Sequence, residues 1–159
     1  MERIWAPWRM AYVGVPRGEG CVFCESPRCG DDRAARILHR SAQSYVIMNI
    51  YPYTNGHLMV VPFLHEESFE TLPPEVLADL WVTVRRSVAA LRAVYKPDGF
   101  NIGMNLGRDA GAGIGQHLHI HIVPRWRGDT DLMPILGETK VIPDHLDSTY
   151  EKLRPRFPG

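Results

Sequence analysis

The sequence lacks the features that mark several large classes of protein. None of its apolar runs approaches the roughly 20 residues that a helix needs to cross a bilayer. It has no strong charge of either sign, because 18 lysine and arginine residues balance 18 aspartate and glutamate residues. That balance argues against broad electrostatic binding of nucleic acid or of an anionic membrane. No repeat, low-complexity tract or long linker is present, so we expect a single domain over residues 1–159 with an irregular N-terminal arm over residues 1–20.

Cysteine is scarce, and its three copies, Cys21, Cys24 and Cys29, lie close together. The odd count argues against a disulfide framework. So does the N-terminus MERIWAPWRM, which places charges and a proline where a signal peptide requires an apolar stretch. We therefore expect a cytoplasmic protein. The Cys21-x-x-Cys24 pair has three interpretations: a redox pair, half of a zinc site, or unligated thiols in an apolar pocket. Cys29 is expected to be spare.

Hydrophobic periodicity predicts an α+β fold. Apolar residues at helical spacing predict a helix over residues 73–95, and an Asn-Gly turn predicts a hairpin before it. The predicted strands cover residues 45–49, 57–62, 100–106 and 117–124, and a short helix is predicted over residues 143–153. The order hairpin, long helix, second hairpin indicates an antiparallel sheet rather than the repeated strand–helix alternation of a Rossmann domain.

Three histidines at two-residue spacing are the most informative feature. On a strand, His117, His119 and His121 share one face, while the apolar residues between them occupy the other and pack under the long helix. The histidine face has three interpretations. These are an exposed polar face, a metal site, and a site where one neutral imidazole attacks phosphorus.

A glycine-rich loop precedes the histidines. Residues 106–115, LGRDAGAGIG, contain four glycines, which let backbone N–H groups surround an anion. No Gly-Lys-Ser/Thr follows, so the loop is not a Walker A motif, and it opens a strand rather than the helix that a dinucleotide fingerprint requires. Its position favours phosphate binding beside the histidines.

Together these motifs resemble a known family. Residues 117–123, HLHIHIV, are similar to the signature of the histidine triad (HIT) superfamily of nucleotide hydrolases and transferases. Asn49, Pro52, Gly56-His57 and Pro62 resemble the family's nucleotide-binding hairpin. WAPWR (residues 5–9), CVFC (21–24) and PRWRGD (124–129) resemble the bacterial branch related to diadenosine tetraphosphate phosphorylase, also called ATP adenylyltransferase. One departure is Gly113-Ile114-Gly115, which replaces the Gly-Gln-Ser/Thr of many relatives and leaves only backbone donors there.

The resemblance implies a HIT-like α+β fold, an antiparallel sheet of about five strands with one long helix and a short C-terminal helix. It implies that His119 attacks the α-phosphate and forms a covalent nucleotidyl-histidine, that His121 orients it, and that His57 lies alongside. Asn49 is then expected to hold the ribose hydroxyls. The expected base contacts are Phe23, Ile47 and Ile50, and the expected contacts to phosphates or the leaving group are Asn105, Gly113, Ile114 and Gln116.

The resemblance also implies a structural zinc. In several HIT relatives a Cys-x-x-Cys pair and two histidines hold zinc, and the matching residues are Cys21, Cys24, His65 and His117. No organic cofactor is expected. Trp126, between two arginines, is either a core anchor or a platform for a second base.

The preferred function is cleavage of dinucleoside polyphosphates such as diadenosine tetraphosphate. The captured AMP is passed to inorganic phosphate, which gives ADP. The alternative is a hydrolase of the Fhit-like or phosphoramidase type with water as acceptor, and a non-catalytic nucleotide-binding protein is a third hypothesis. No nucleic acid or membrane partner is expected, and the family's habit of pairing through the long helix and adjoining sheet predicts a homodimer.

Overall fold

A five-stranded antiparallel sheet forms the centre of the computed structural model, which describes residues 20–107, 109–111, 113–129 and 144–157. The strands lie in the order β1-β2-β3-β5-β4. Their bounds are Ile37–Arg40 (β1), Ser44–Met48 (β2), Leu58–Pro62 (β3), Gly99–Gly103 (β4) and Ile120–Arg125 (β5). The expected α+β architecture of about five strands is confirmed.

Strands β2 and β3 form the predicted hairpin, with Ser44 opposite Pro62 and Met48 opposite Leu58. The turn between them needs its glycine for two reasons. Gly56 has a φ of +74°, and a Cβ added there would lie 3.0 Å from the side chain of Leu91. The Asn-Gly sequence thus gives the turn both its left-handed backbone and its close approach to the long helix.

Helix α2, Pro74–Tyr95, covers one face of the sheet. Its buried residues Val76, Leu80, Val84 and Leu91 recur at the predicted helical spacing and join the main core. The helix ends where Lys96 adopts the left-handed conformation, at φ 47°, and donates its N–H to the Arg92 carbonyl.

Two further helices complete the fold. The short helix α1, Val22–Glu25, contributes Phe23 to a smaller apolar cluster on the other face of the sheet. Helix α3, Leu146–Leu153, is fastened by Tyr150, whose hydroxyl donates to the Ile37 carbonyl at 3.1 Å. Short 3₁₀ segments follow α1 and α3 and precede α2 (Ser26–Arg28, Arg154–Arg156 and Phe69–Thr71).

The structure corrects several predicted boundaries. The last strand begins at Ile120, so residues 117–119 precede it, and β4 ends at Gly103 rather than at residue 106. Residues 117–119 stay outside the strand because the backbone N–H of Leu118 donates to the carbonyl of Glu66, in the loop after β3, instead of to a neighbouring strand. Strand β1 and helix α1 were not predicted, since four-residue elements carry too little periodicity.

Within the described residues, no helix combines the length and the apolar character that crossing a bilayer requires. The expected N-terminal arm lies almost wholly outside those residues, as do positions 130–143.

Candidate active site and metal-binding cluster

The face of the sheet opposite α2 carries the site. His121 on β5 is paired with Met59 on β3, and Met59 belongs to the apolar cluster of that face. Leu118, Ile120 and Ile122 lie in the core under α2, so the predicted separation of apolar and imidazole side chains holds.

His119 is buried, with 6% of its surface exposed, and its imidazole is held by the chain itself. Its Nδ1 lies 2.9 Å from the carbonyl oxygen of His117. A carbonyl only accepts hydrogen bonds, so Nδ1 carries the proton of the neutral ring and Nε2 carries the lone pair. The ring of Phe23 lies 4.9 Å away, centroid to centroid, and that of His121 lies 4.8 Å away.

Burial also keeps His119 neutral. Loss of hydration lowers the pKa of His119 below its ordinary 6.5, and the hydrogen bond to the His117 carbonyl opposes that shift. A neutral imidazole with its lone pair on Nε2 is the form that attacks an electrophile.

His57 joins His119 and His121 in one cluster, which we call the imidazole cluster. Its Nε2 lies 2.9 Å from Nδ1 of His121, and its Nδ1 accepts the backbone N–H of Tyr53 at 3.1 Å. The Tyr53 ring packs on His57 at 4.5 Å and lies 5.9 Å from His121. The turn between β2 and β3 therefore orients two of the three imidazoles.

Asn49 lies beside this cluster. Its side-chain oxygen accepts the N–H of Tyr51 at 2.9 Å, and its Nδ2 lies 3.4 Å from Nδ1 of His57. Of the expected base contacts, Ile50 is 56% exposed, while Ile47 and Phe23 are buried in the apolar cluster.

The glycine-rich loop returns to the same face. Asn105 fastens it by donating from Nδ2 to the carbonyl of Gly111 at 3.3 Å, and Ile114 packs against the Phe23 cluster. Gly113 and Gln116 are exposed. The loop thus leads directly from its glycines to the histidines.

A second cluster, which we call the metal-type cluster, consists of Cys21, Cys24, His65 and His117. One ligand atom from each residue lies within 4.8 Å of every other. Nδ1 of His117 lies 3.3 Å from Sγ of Cys21 and 3.5 Å from Sγ of Cys24, and Nδ1 of His65 lies 3.2 Å from the latter sulfur. Tetrahedral zinc places sulfur and nitrogen ligands roughly 3.5 Å apart, so both the donor set and its spacing fit zinc.

The protons of the metal-type cluster are arranged for ligation. His117 uses Nε2–H to donate to the Pro62 carbonyl at 2.9 Å, which leaves the lone pair of Nδ1 facing the sulfurs. Burial raises the pKa of the Cys24 thiol, and the neighbouring Cys21 raises it further. A bound divalent cation would counter both effects by favouring thiolates.

Trp126 is not brought to either cluster. It follows β5, roughly 20 Å from Ile120 at the rise of a strand, and its indole N–H donates to the Tyr95 carbonyl at 3.4 Å.

Sequence reasoning missed three residues that build the site. Tyr53 orients His57, Tyr45 donates its buried hydroxyl to the Phe23 carbonyl at 2.7 Å, and the Glu66 carbonyl accepts the N–H of Leu118 at 2.7 Å. Tyr53 and Glu66 make these contacts through their own backbone groups, which leave no trace in residue identity. Only the tyrosines, as polar-tipped aromatics on or beside strands, carried a signal.

Comparisons with known proteins agree with this geometry. Among curated proteins, one described as an AP-4-A phosphorylase of Mycobacterium tuberculosis is 37% identical, over 96% of this chain and 83% of its own length. A bis(5'-nucleosyl)-tetraphosphatase (asymmetrical) of Schizosaccharomyces pombe is 32% identical, over 79% of this chain and 69% of its own.

A solved structure and a family model complete the comparison. A zinc-bound histidine triad family protein of Mycobacterium smegmatis superposes with a TM-score of 0.68 at 29% identity, covering 86% of this chain and 92% of that one. The model of the HIT domain matches residues 32–128, which include both hairpins, α2 and all three histidines of the triplet. The chain belongs to the HIT domain family.

Proposed function

We propose that this protein is a nucleotidyl transferase that cleaves dinucleoside polyphosphates of the diadenosine tetraphosphate type by phosphorolysis. The observation that carries the proposal is the fixed tautomer of His119, whose lone pair on Nε2 is the nucleophile. The similarity to the AP-4-A phosphorylase over nearly the whole chain supports this substrate class.

In the first step Nε2 of His119 forms a bond to the α-phosphorus. The bond from that phosphorus to the bridging oxygen breaks, and its electron pair leaves with the departing nucleotide. His119 retains the proton on Nδ1, so the intermediate is a nucleotidyl-imidazolium stabilised by the His117 carbonyl. His121, adjacent to His119 and hydrogen-bonded to His57, is positioned to stabilise charge on the departing oxygen.

In the second step an oxygen of inorganic phosphate attacks the same phosphorus, and the electron pair of the N–P bond returns to His119. The product is ADP. Water as acceptor would give AMP instead, and the similarity to the asymmetrical tetraphosphatase makes hydrolysis the second candidate.

The remaining site residues are assigned to substrate binding. We assign the ribose to Asn49, and the base to Ile50, Ile47 and Phe23, of which Ile50 is the exposed one. We assign the phosphates to Gln116, Asn105 and the backbone of Gly113 and Ile114. A glycine-rich backbone beside the nucleophile offers N–H donors without side-chain obstruction, which supports the assignment of the phosphates to this loop.

We further propose that Cys21, Cys24, His65 and His117 hold structural zinc. The four ligand positions are all supplied by protein, so the ion would stabilise the fold rather than activate water. The zinc-bound M. smegmatis relative supports this assignment.

A homodimer in the cytoplasm completes the proposal. Trp81 and Val82 on the outer face of α2, and Ile102 on the edge strand β4, are all more than 40% exposed, which suits pairing through helix and sheet. Light scattering of the purified chain tests the dimer, and a mass of 18.0 kDa would contradict it.

The decisive test of the reaction is mass spectrometry of the protein mixed with diadenosine tetraphosphate. We expect an adduct of one AMP per chain, located on His119 by peptide mapping. Adding phosphate should discharge the adduct as ADP. Discharge only as AMP, with no phosphate-dependent ADP, would replace phosphorolysis by hydrolysis, and the absence of any adduct would remove the covalent mechanism.

A further inference from the structure

The last part of the glycine-rich loop has no side-chain donor for a phosphate. Residues 113–115 are Gly-Ile-Gly, so any hydrogen bond that they give to a phosphate comes from a backbone N–H. A polar side chain can rotate to follow a ligand, but a backbone N–H points wherever the surrounding chain is held. Glycine allows many backbone conformations, so Gly113 and Gly115 do not fix that direction themselves. Another contact has to hold this stretch in place.

Ile114, between the two glycines, makes such a contact. Its side chain is partly buried and packs against the apolar cluster on the face of the sheet opposite α2. The buried members of that cluster are Phe23, Ile37, Tyr45, Ile47, Met59 and Val61. Earlier in the loop, Asn105 donates to the Gly111 carbonyl at 3.3 Å. The loop therefore has a polar anchor near its start and an apolar anchor near its end.

The apolar anchor also relates the loop to His119. Phe23 belongs to the cluster on which Ile114 packs, and its ring lies 4.9 Å from the ring of His119, centroid to centroid. Phe23 is only 3% exposed, so its surroundings are closely packed. Packed side chains deform little. Ile114 and His119 thus both contact one packed cluster, which fixes the end of the loop relative to the proposed nucleophile.

We propose that Ile114 is a positioning residue whose packing aims the backbone N–H groups of residues 113–115 at the phosphates of the leaving group. This proposal rests on the proposed function, in which the bond from the α-phosphorus to the bridging oxygen breaks and the electron pair leaves with the departing nucleotide. Donors that are held in place beforehand stabilise the departing charge without reorganisation of the site. Truncating Ile114 leaves those donors present but no longer aimed.

The first test compares two substrates that share an AMP moiety and differ in the leaving group. Diadenosine tetraphosphate releases a polyphosphate, whereas the p-nitrophenyl ester of AMP releases a phenolate, which has no phosphate. In both reactions the P–O bond breaks and the electron pair leaves with the oxygen. For Ile114→Ala we expect the second-order rate constant of adduct formation on His119, measured by rapid quench, to fall about 10- to 100-fold with diadenosine tetraphosphate and less than about threefold with the ester.

Two other outcomes would overturn the proposal. Equal losses with both substrates would mean that Ile114 acts on His119 itself, and no loss with either would mean that its packing has no part in the reaction. Leu77→Ala is the matched control, because Leu77 is also partly buried but packs against the main core between α2 and the sheet. It should lower the melting temperature as Ile114→Ala does and leave both rate constants at the parent value.

A conservative variant checks that the apolar contact is the cause. Ile114→Val keeps most of the contact and the branched side chain. We expect it to react with diadenosine tetraphosphate within about threefold of the parent rate. A valine variant as slow as the alanine variant would contradict the proposal, because the apolar contact would then not be what positions the loop.

A second measurement does not depend on the reaction. Amide hydrogen exchange at short labelling times, followed by mass spectrometry, reports how firmly each segment is held. In Ile114→Ala we expect faster exchange than in the parent for a peptide that contains residues 113–116, and parent-like exchange for a peptide from α2. Unchanged exchange at residues 113–116 would overturn the proposal even if diadenosine tetraphosphate is a substrate. If instead the parent forms no adduct on His119, the proposed function fails, so the two failures are distinguishable.

Discussion

The metal-type cluster and the imidazole cluster meet on one short segment and use histidine in opposite ways. His117 carries its proton on Nε2, which donates to the Pro62 carbonyl, so Nδ1 faces the sulfurs. His119, two residues later, carries its proton on Nδ1, which donates to the His117 carbonyl, so its lone pair is on Nε2. The orientation of each imidazole is therefore set by the carbonyl that accepts its hydrogen bond.

The two clusters are also physically joined. The His117 carbonyl belongs to a residue of one cluster and orients His119, the proposed nucleophile, in the other. Phe23, between the two cysteines, packs against His117 at 5.6 Å and against His119 at 4.9 Å. A substitution in the metal-type cluster should therefore also slow adduct formation on His119. A substitution of His119 need not alter metal binding.

The largest effect is expected from a substitution that disrupts only the imidazole cluster. His119→Ala should lower turnover by on the order of 10³-fold or more and abolish the nucleotidyl adduct, because no other residue replaces its Nε2. Zinc content should stay at the parent value, since His119 is not in the metal-type cluster. Adduct mass and metal analysis measure the two effects, with thermal unfolding as the control for folding. Turnover at the parent rate would contradict the mechanism.

The next largest effect is expected from a substitution that removes one ligand of the metal-type cluster. Cys24→Ser should reduce bound zinc from one equivalent per chain to little or none. It should lower the free energy of unfolding by about 4 kcal/mol when free zinc exceeds the dissociation constant a thousandfold. Adduct formation should also slow, because Phe23 and the His117 carbonyl lose their anchor. Cys29→Ser, at the exposed third cysteine, is the control and should match the parent in zinc content and melting temperature.

A smaller effect tests the connection between the clusters. Tyr45→Phe removes the buried hydrogen bond to the Phe23 carbonyl, and Tyr150→Phe removes a similar one to the Ile37 carbonyl. Each should lower the free energy of unfolding by about 1–2 kcal/mol, measured by urea denaturation. Only Tyr45→Phe should also slow adduct formation, because Phe23 packs on His119. Equal rates in the two variants would show that α1 does not position His119.

The smallest effect concerns a histidine outside both clusters. His39 is buried and accepts a hydrogen bond from Arg86 at 2.7 Å, and burial, aided by Arg86 and Arg154, lowers its pKa below 6.5. The unfolded chain therefore binds more protons than the folded chain between the lowered pKa and 6.5. The stabilisation is complete above pH 6.5 and is lost as the pH falls through that window.

We expect His39→Gln, whose amide oxygen also accepts from Arg86, to remove this contribution to the pH dependence. The difference between parent and variant should be about 1 kcal/mol or less. Urea denaturation at several pH values below 6.5 and at pH 8 measures it. Parallel stability curves for the two proteins would show that His39 does not titrate differently in the folded state.

Much of the architecture was predictable because its signals are local. The helix predicted over residues 73–95 is observed as Pro74–Tyr95, since apolar residues recurred over six turns. The Asn-Gly turn of the first hairpin is also observed, with the positive φ that glycine allows. Strand β1 was missed because four residues beginning after Arg36 in the left-handed conformation have no pattern to detect.

The site was predictable as a set of residues but not as an arrangement. Spacing and family resemblance named His57, His119 and His121, and the structure brings them into contact, while their roles stay predictions. The same reasoning named Phe23 as a base contact, which stays a prediction, but it did not foresee that this ring is 3% exposed and packs on two histidines. Burial of a side chain depends on elements distant in sequence, here β2 and the segment before β5.

By itself the sequence determined the family, the long helix, the hairpin and the identities of the clustered imidazoles and thiols, because these depend on residue type and short-range spacing. Only the tertiary structure decided which nitrogen of each imidazole holds the proton. That choice is made by backbone carbonyls and amides, which every residue possesses and which only folding brings into position.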